Sequence, residues 1–149
     1  MEPLAKQLAD AQQSGVHELT RRPEEIEQAS NQAGLAVFRI DIRNAGDKNA
    51  FLNRIAEVLQ FPDWFGYNWD ALNDCLTDLE WLPHKAGYVL IFENSGRFAA
   101  GKKPDFDKAI EVFRSASEYW KGEGRPFWVF LPPDAAPGFK ARTGEIRPF

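Results

Sequence analysis

Several residue types and patterns are scarce in this chain of 149 residues, and each scarcity excludes a class of protein. The single cysteine, Cys75, excludes an internal disulfide framework and fits a reducing compartment. No stretch approaches the roughly 18 consecutive apolar residues that a membrane-spanning helix needs. The first residues show no basic region followed by an apolar one, so we expect no secretory signal and a cytoplasmic protein.

Motifs for common enzyme and cofactor chemistry are also missing. The two histidines, His17 and His84, lie far apart in the sequence, so we expect no zinc or other metal site. There is no phosphate-binding loop, no nucleophile elbow and no dinucleotide fingerprint, so we expect no cofactor. The net charge is −4 and no run of basic residues occurs, which makes nucleic acid a poor direct partner.

Positively charged residues are absent from the segment between Phe61 and Pro83, called here the acidic segment. It contains five acids and no Lys, Arg or His, so it carries −5 while the remaining residues sum to +1. It is also rich in aromatic residues. This combination predicts a surface that meets a basic partner. The acids and aromatics are Asp63, Asp70, Asp74, Asp78, Glu80, Phe61, Trp64, Phe65, Tyr67, Trp69 and Trp81.

The spacing within the acidic segment predicts a helix that begins after Asn68, a residue whose side chain can cap it. One face of this helix is polar, and the opposite face is apolar and carries Cys75 as an inert core thiol. The alternative is that the polar face is an ordinary solvated surface. Such surfaces usually mix cationic and acidic residues, whereas this face has no cationic residue. The polar positions are Asp70, Asn73, Asp74, Thr77 and Asp78; the apolar positions are Ala71, Leu72, Cys75, Leu76 and Leu79.

The run FPDWFGYNWDALNDCLT at residues 61–77 resembles the signature of the barstar family, intracellular protein inhibitors of secreted bacterial ribonucleases of the barnase type. The order of strands and helices extends the resemblance over roughly residues 35–132. The resemblance implies that Asp74 mimics a substrate phosphate and that Asp70 gives a supporting ionic contact. The remaining partner-binding residues that we predict are Trp64, Gly66, Asn68, Trp69, Asn73, Thr77 and Asp78.

Four positions depart from the family pattern. A family tyrosine is replaced by Trp64, a tryptophan by Asn73, a glycine by Asp78, and a glutamate on a later helix by Ser115. Because an acid has moved from one element to another, we expect a different cognate enzyme or one that is bound more loosely. A second interpretation also stays open, namely a barstar-like acidic module whose basic partner is not a ribonuclease. We expect the ring of Trp64 to be exposed so that it can cover the partner's cleft.

A carboxylate-based hydrolase is a remote third interpretation, with Asp70 and Asp74 as an acid–base pair. Two carboxylates one turn apart on an exposed helix both stay ionised, whereas such a pair needs environments that separate its pKa values. The hydrolase would therefore require Asp74 to be buried in a cleft. We expect the chain not to be an enzyme.

Alternating strand and helix patterns predict an α/β fold, with a small parallel sheet and helices packed against it. We predict an N-terminal extension at 1–34 with an extra helix and a β-α unit, a barstar-like domain at 35–133, and a weakly ordered tail at 134–149. The oligomeric state is left open. Predicted strands are 15–19, 36–42, 88–92 and 127–131; predicted helices are 4–13, 23–33, one that Asp47 caps, one after Asn68, and one from Pro104 to Gly122.

Overall fold

The computed structural model of the chain describes residues 3–83, 85–94 and 103–131. Four parallel strands form one sheet in the order β1-β4-β3-β2, with α-helices packed on both faces. The predicted α/β class is therefore confirmed. The elements are α1 (Leu4–Leu8), a 3₁₀ turn (Ala11–Gln13), β1 (Gly15–Glu18), α2 (Pro23–Gln32), β2 (Ala36–Asp41), α3 (Lys48–Leu59), α4 (Trp69–Leu76), β3 (Tyr88–Glu93), α5 (Lys103–Gly122) and β4 (Phe127–Leu131).

The two central strands, β3 and β4, are covered on both sides. Every residue of β4 is buried, which explains why its sequence is a continuous apolar run rather than an alternating one. Successive side chains of a strand point to opposite faces, so each strand contributes to two cores. In β4 for example, Val129 joins the core that contains α3, α4 and α5, while Trp128 joins the core beneath α1 and α2.

The second face of the sheet is covered by the N-terminal residues. Leu8 of α1 and Ile26 of α2 are completely buried against Trp128, whose indole Nε1 donates a hydrogen bond to the carbonyl oxygen of Leu8 at 2.7 Å. The sheet also gains an edge strand, because β1 pairs in parallel with β4 and places Val16 opposite Val129. The predicted β-α unit before residue 35 thus completes both the sheet and its second core.

Most predicted elements agree with the structure to within one or two residues at their ends. The predicted helix at 4–13 is wrong, because α1 ends at Leu8 and a separate 3₁₀ turn follows. The break occurs at Asp10, whose side chain accepts a hydrogen bond from the backbone N–H of Gln12 at 3.0 Å and so starts the second turn. His84 and the predicted tail at 134–149 lie outside the described residues, and the predicted domain boundaries stay predictions. No helix within the described ranges is long and apolar enough to cross a membrane.

We expect the variant Ile26→Ala to lower the free energy of unfolding by about 2–5 kcal/mol, because it opens a cavity between α2 and the sheet. Urea unfolding followed by tryptophan fluorescence measures this change. The matched control is Gln28→Ala on the exposed side of the same helix, which should stay within about 0.5 kcal/mol of the parent. Equal, small effects for both variants would mean that α2 is not part of the cooperative core.

Candidate partner-binding site

The start of α4 is fixed by Asn68, as predicted. The Oδ1 atom of Asn68 accepts a hydrogen bond from the backbone N–H of Ala71 at 2.7 Å, and its backbone lies in the extended region typical of an N-cap. Its Nδ2 atom also lies 3.4 Å from the carbonyl oxygen of Gly66. A Cβ atom at Gly66 would lie 3.4 Å from that Nδ2 atom, so the loop passes close to the start of the helix. Cap and loop are therefore held together.

One side of α4 is buried and anchors the helix. Leu72, Cys75 and Leu76 are completely buried in the larger core, as the apolar pattern predicted. The indole Nε1 of Trp120 on α5 donates a hydrogen bond of 2.7 Å to the carbonyl oxygen of Leu76, one of the acceptors that a helix C-terminus leaves unpaired. α4 is thereby attached to α5 at its last turn.

Cys75 is the inert thiol that its position predicted. Burial, followed by the nearby negative charges of Asp74 and Asp78, raises the pKa of the Cys75 thiol to about 11. Because the thiolate is the nucleophilic form, a thiol with this pKa stays neutral and unreactive near pH 7. Cys75 therefore contributes to packing, and the chemistry of the site depends on the opposite side of α4.

The exposed side of α4 presents Asp70 and Asp74, one helical turn apart on the same face. The prediction that Thr77 and Asp78 continue this helix is wrong, since α4 ends at Leu76. The chain leaves the helix because Leu79 adopts a left-handed φ of 56° while its N–H bonds to the carbonyl oxygen of Cys75 at 3.2 Å. Two acids, rather than three, share the helical face.

The other polar positions are less exposed than the pattern predicted. Thr77 is half-buried, and its hydroxyl donates a hydrogen bond to the carbonyl oxygen of Asn73 at 2.8 Å. Asp78 is half-buried, and its Oδ1 atom accepts from the backbone N–H of Glu80 at 3.2 Å. Asn73 is half-buried too, with an Oδ1 atom that is shielded from solvent and has no hydrogen-bond partner. These three side chains are therefore less accessible from outside than Asp70 and Asp74.

None of the five carboxylates in the acidic segment forms an ion pair within the described residues. Several acids elsewhere on the surface do form ion pairs. Glu57 lies 3.4 Å from Arg54, Glu111 lies 3.6 Å from Lys108, and each pair is three residues apart on a helix. Asp70 and Asp74 therefore pair with no cation among the residues that the structure describes.

Aromatic side chains before and after α4 form two layers. The inner layer is Phe61, Phe65 and Trp81, with ring centroids 4.9 Å apart for the phenylalanine pair and 5.9 Å apart for Phe61 and Trp81. Trp81 is fixed further by a hydrogen bond from its Nε1 to the carbonyl oxygen of Leu59 at 3.0 Å. The outer layer is formed by Trp64 and Tyr67. The ring centroids of Trp64 and Trp81 are 6.3 Å apart, and those of Tyr67 and Phe65 are 4.7 Å apart. The outer rings are thus supported from below.

The prediction that the ring of Trp64 is exposed is confirmed, since 59% of the residue is accessible to solvent. Trp69 behaves differently, because it is half-buried against Phe51 with ring centroids 6.2 Å apart. The ammonium group of Lys48 lies 5.8 Å from the centroid of the Trp69 ring, within the range of a cation–π contact. Trp69 therefore links α4 to α3 and has only part of its surface available to a partner.

Two residues at this site were not among the predicted partner-binding residues. Tyr67 was named only as one of the aromatics of the acidic segment, and the structure shows that it is 50% exposed. Lys48 places a cation near the ring of Trp69, and no local pattern could have placed it there because it belongs to α3. The burial of Asp74 that a hydrolase would require is not met, because this side chain is exposed.

Two comparisons with known proteins bear on this site. The family described as "Barstar (barnase inhibitor)" matches residues 35–132, which include the acidic segment and both central strands. A Bacillus subtilis (strain 168) protein named "Putative ribonuclease inhibitor YrdF" is 35% identical over 85 residues, covering 56% of this chain and 88% of the relative.

We expect Trp64 to dominate the acrylamide quenching of the protein's five tryptophans, because it is the most exposed of them. The variant Trp64→Phe should therefore lower the quenching constant clearly. Trp69→Phe is the control, since that ring is half-buried and its removal should change the constant little. If both variants quench like the parent protein, the outer aromatic layer is not exposed in solution.

Proposed function

Because this chain belongs to the barstar family, we propose that it is a cytoplasmic inhibitor that blocks the basic active site of a secreted barnase-type ribonuclease. Support comes from the family's description as a barnase inhibitor and from the name of the Bacillus subtilis relative. The binding surface in this proposal is the exposed face of α4 together with the aromatic loop before it.

The observation that carries the proposal is that the carboxylates of the acidic segment pair with no cation in the described part of the chain. A ribonuclease must bind phosphate, so its cleft is lined with cationic side chains. Carboxylates on a fixed helix can occupy the positions of substrate phosphates and accept charge-assisted hydrogen bonds, often two at once from an arginine. In this proposal Asp74 takes the phosphate position, and Asp70, one turn earlier, makes a supporting ionic contact.

The remaining proposed contacts surround these two acids. Trp64 would lie over the mouth of the cleft and exclude water from the contacts of Asp74, as aromatic residues do in many interfaces. Asp78 adds charge beyond the end of the helix. Opposite charges on the two proteins also speed their encounter. The other proposed partner-binding residues are Gly66, Asn68, Trp69, Asn73 and Thr77.

Local rigidity supports this function as much as charge does. Binding is weakened when loops and side chains must be ordered in the complex. Here the Asn68 cap fixes the start of α4, and the hydrogen bond from Trp120 to Leu76 fixes its end. The inner aromatic layer holds the loop in the same way. The face is therefore preorganised before a partner arrives.

An acidic module for a basic partner that is not a ribonuclease is the second candidate. It is favoured by the departures from the family pattern, since Asn73 is half-buried with an unpartnered oxygen where the family has a tryptophan, and Ser115 replaces a glutamate. Titration of several barnase-type ribonucleases, barnase included, with this protein distinguishes the two. If the protein is the inhibitor, at least one of these enzymes loses its activity on RNA at a one-to-one ratio. If it is the other module, all of them keep their activity and the protein binds a basic protein without nuclease activity.

We expect Asp74→Ala to weaken binding to barnase by about 2–5 kcal/mol or more, because it leaves buried cations of the enzyme unpaired. That range includes measurements on the barnase–barstar complex, so it is not independent of the family assignment. Calorimetric titration measures the change, and thermal unfolding checks that the variant is folded.

The matched control for Asp74→Ala is Glu24→Ala on α2. Glu24 is an exposed acid whose removal changes the net charge equally, but it belongs to the helix that covers the opposite side of the sheet. Its affinity should stay close to that of the parent. Equal losses for the two variants would mean that net charge alone drives binding, and an Asp74→Ala variant with full affinity would refute the proposed role of Asp74.

A further inference from the structure

The backbone of Tyr67 has a positive φ that neither a helix end nor its residue type explains. Four non-glycine residues in the described part of the chain have a positive φ: Gln60, Tyr67, Leu79 and Asn94. Gln60 and Leu79 follow the ends of α3 and α4, where left-handed backbone commonly closes a helix. Asn94 is of a residue type that tolerates this conformation. Tyr67, with φ of 51°, has neither reason.

A glycine or an asparagine would fit the position of Tyr67 with less backbone strain. A residue kept in an unfavourable conformation at an exposed position is a reason to look for a function. The alternative is that the ring stabilises the loop by covering Phe65. Phe65 is already packed against Phe61 from another side, and half of Tyr67 remains in solvent, so the ring's packing gives only a partial account of its presence.

The Tyr67 ring belongs to a pair. Trp64 and Tyr67 are the two strongly exposed aromatics of the acidic segment, and both rest on the inner aromatic layer. Asp63 is adjacent to Trp64 in the sequence, Asp70 begins the acidic face three residues after Tyr67, and neither acid forms an ion pair in the described structure. An exposed aromatic pair among unneutralised carboxylates suits a planar cation, since arginine stacks on rings while its guanidinium donates to carboxylates.

We propose that Trp64 and Tyr67 form a two-ring platform that binds an arginine side chain of the basic partner, at the edge of the face that Asp74 centres. This inference rests on the proposed function and deepens it by adding Tyr67 as a partner-contact residue. It also specifies that Tyr67 contacts the guanidinium group of an arginine. A lysine would satisfy the acids equally well but would stack less well on the rings.

The first test separates strain from binding. Tyr67→Asn relieves the backbone while removing the ring, so without a partner its unfolding midpoint should match or exceed that of the parent. With barnase as the probe, the same variant should dissociate on the order of tenfold faster, as expected for loss of an interface aromatic. Tyr67→Phe keeps the ring and should dissociate at the parent rate. A Tyr67→Asn variant with a lower midpoint and an unchanged dissociation rate would overturn the proposal, since the ring would then only support the loop.

The second test needs no ribonuclease. A short arginine peptide should bind the protein more tightly than a lysine peptide of the same length, and Tyr67→Asn should remove this preference. Equal binding of the two peptides to the parent protein would overturn the platform. Asp74→Ala in the barnase assay distinguishes a failure of the platform from a failure of the proposed function. If Asp74 matters and Tyr67 does not, only the platform fails; if Asp74→Ala keeps full affinity, the proposed function fails first.

Discussion

Unneutralised negative charge on α4 is the constraint on which the rest of the site depends. Asp70 and Asp74 repel each other by a few tenths of a kcal/mol, and no cation in the described structure pairs with either of them. The helix keeps its position because its other side is buried through Leu72, Cys75 and Leu76 and because Trp120 holds its last turn. The two carboxylates are thereby held in fixed positions. Recognition of a rigid cationic cleft requires such fixed positions.

The sheet makes this possible by being buried on both sides. The larger core supports α3, α4 and α5, while α1 and α2 cover the second face over Trp128. The family match begins at residue 35, so β1, α1 and α2 precede it. The acidic face and this N-terminal cover lie on opposite sides of the same sheet. The central strands β3 and β4 contribute side chains to the cores on both sides.

Local patterns predicted most of the fold, and long-range contacts explain where they failed. The runs YVLIF and FWVFL predicted the buried strands, and Asn68 predicted the start of α4. Both features depend on residues that are close together in the sequence, so a local pattern can predict them. The end of α4 was not predictable, since it depends partly on Trp120, which lies 44 residues beyond its acceptor Leu76. The left-handed backbone of Tyr67 likewise has no local signal. The acidic face and the exposed ring of Trp64 were therefore foreseen, but the length of the face and the backbone of Tyr67 were not.

Competition with a substrate analogue tests the central claim most directly. If Asp74 occupies the phosphate position of a barnase-type active site, a 3′-mononucleotide and this protein cannot bind the enzyme together. The apparent Kd of the complex with barnase should then rise in proportion to the mononucleotide concentration. An affinity that stays constant while the nucleotide saturates the enzyme would contradict the account, because the acidic face would then bind somewhere other than the active site.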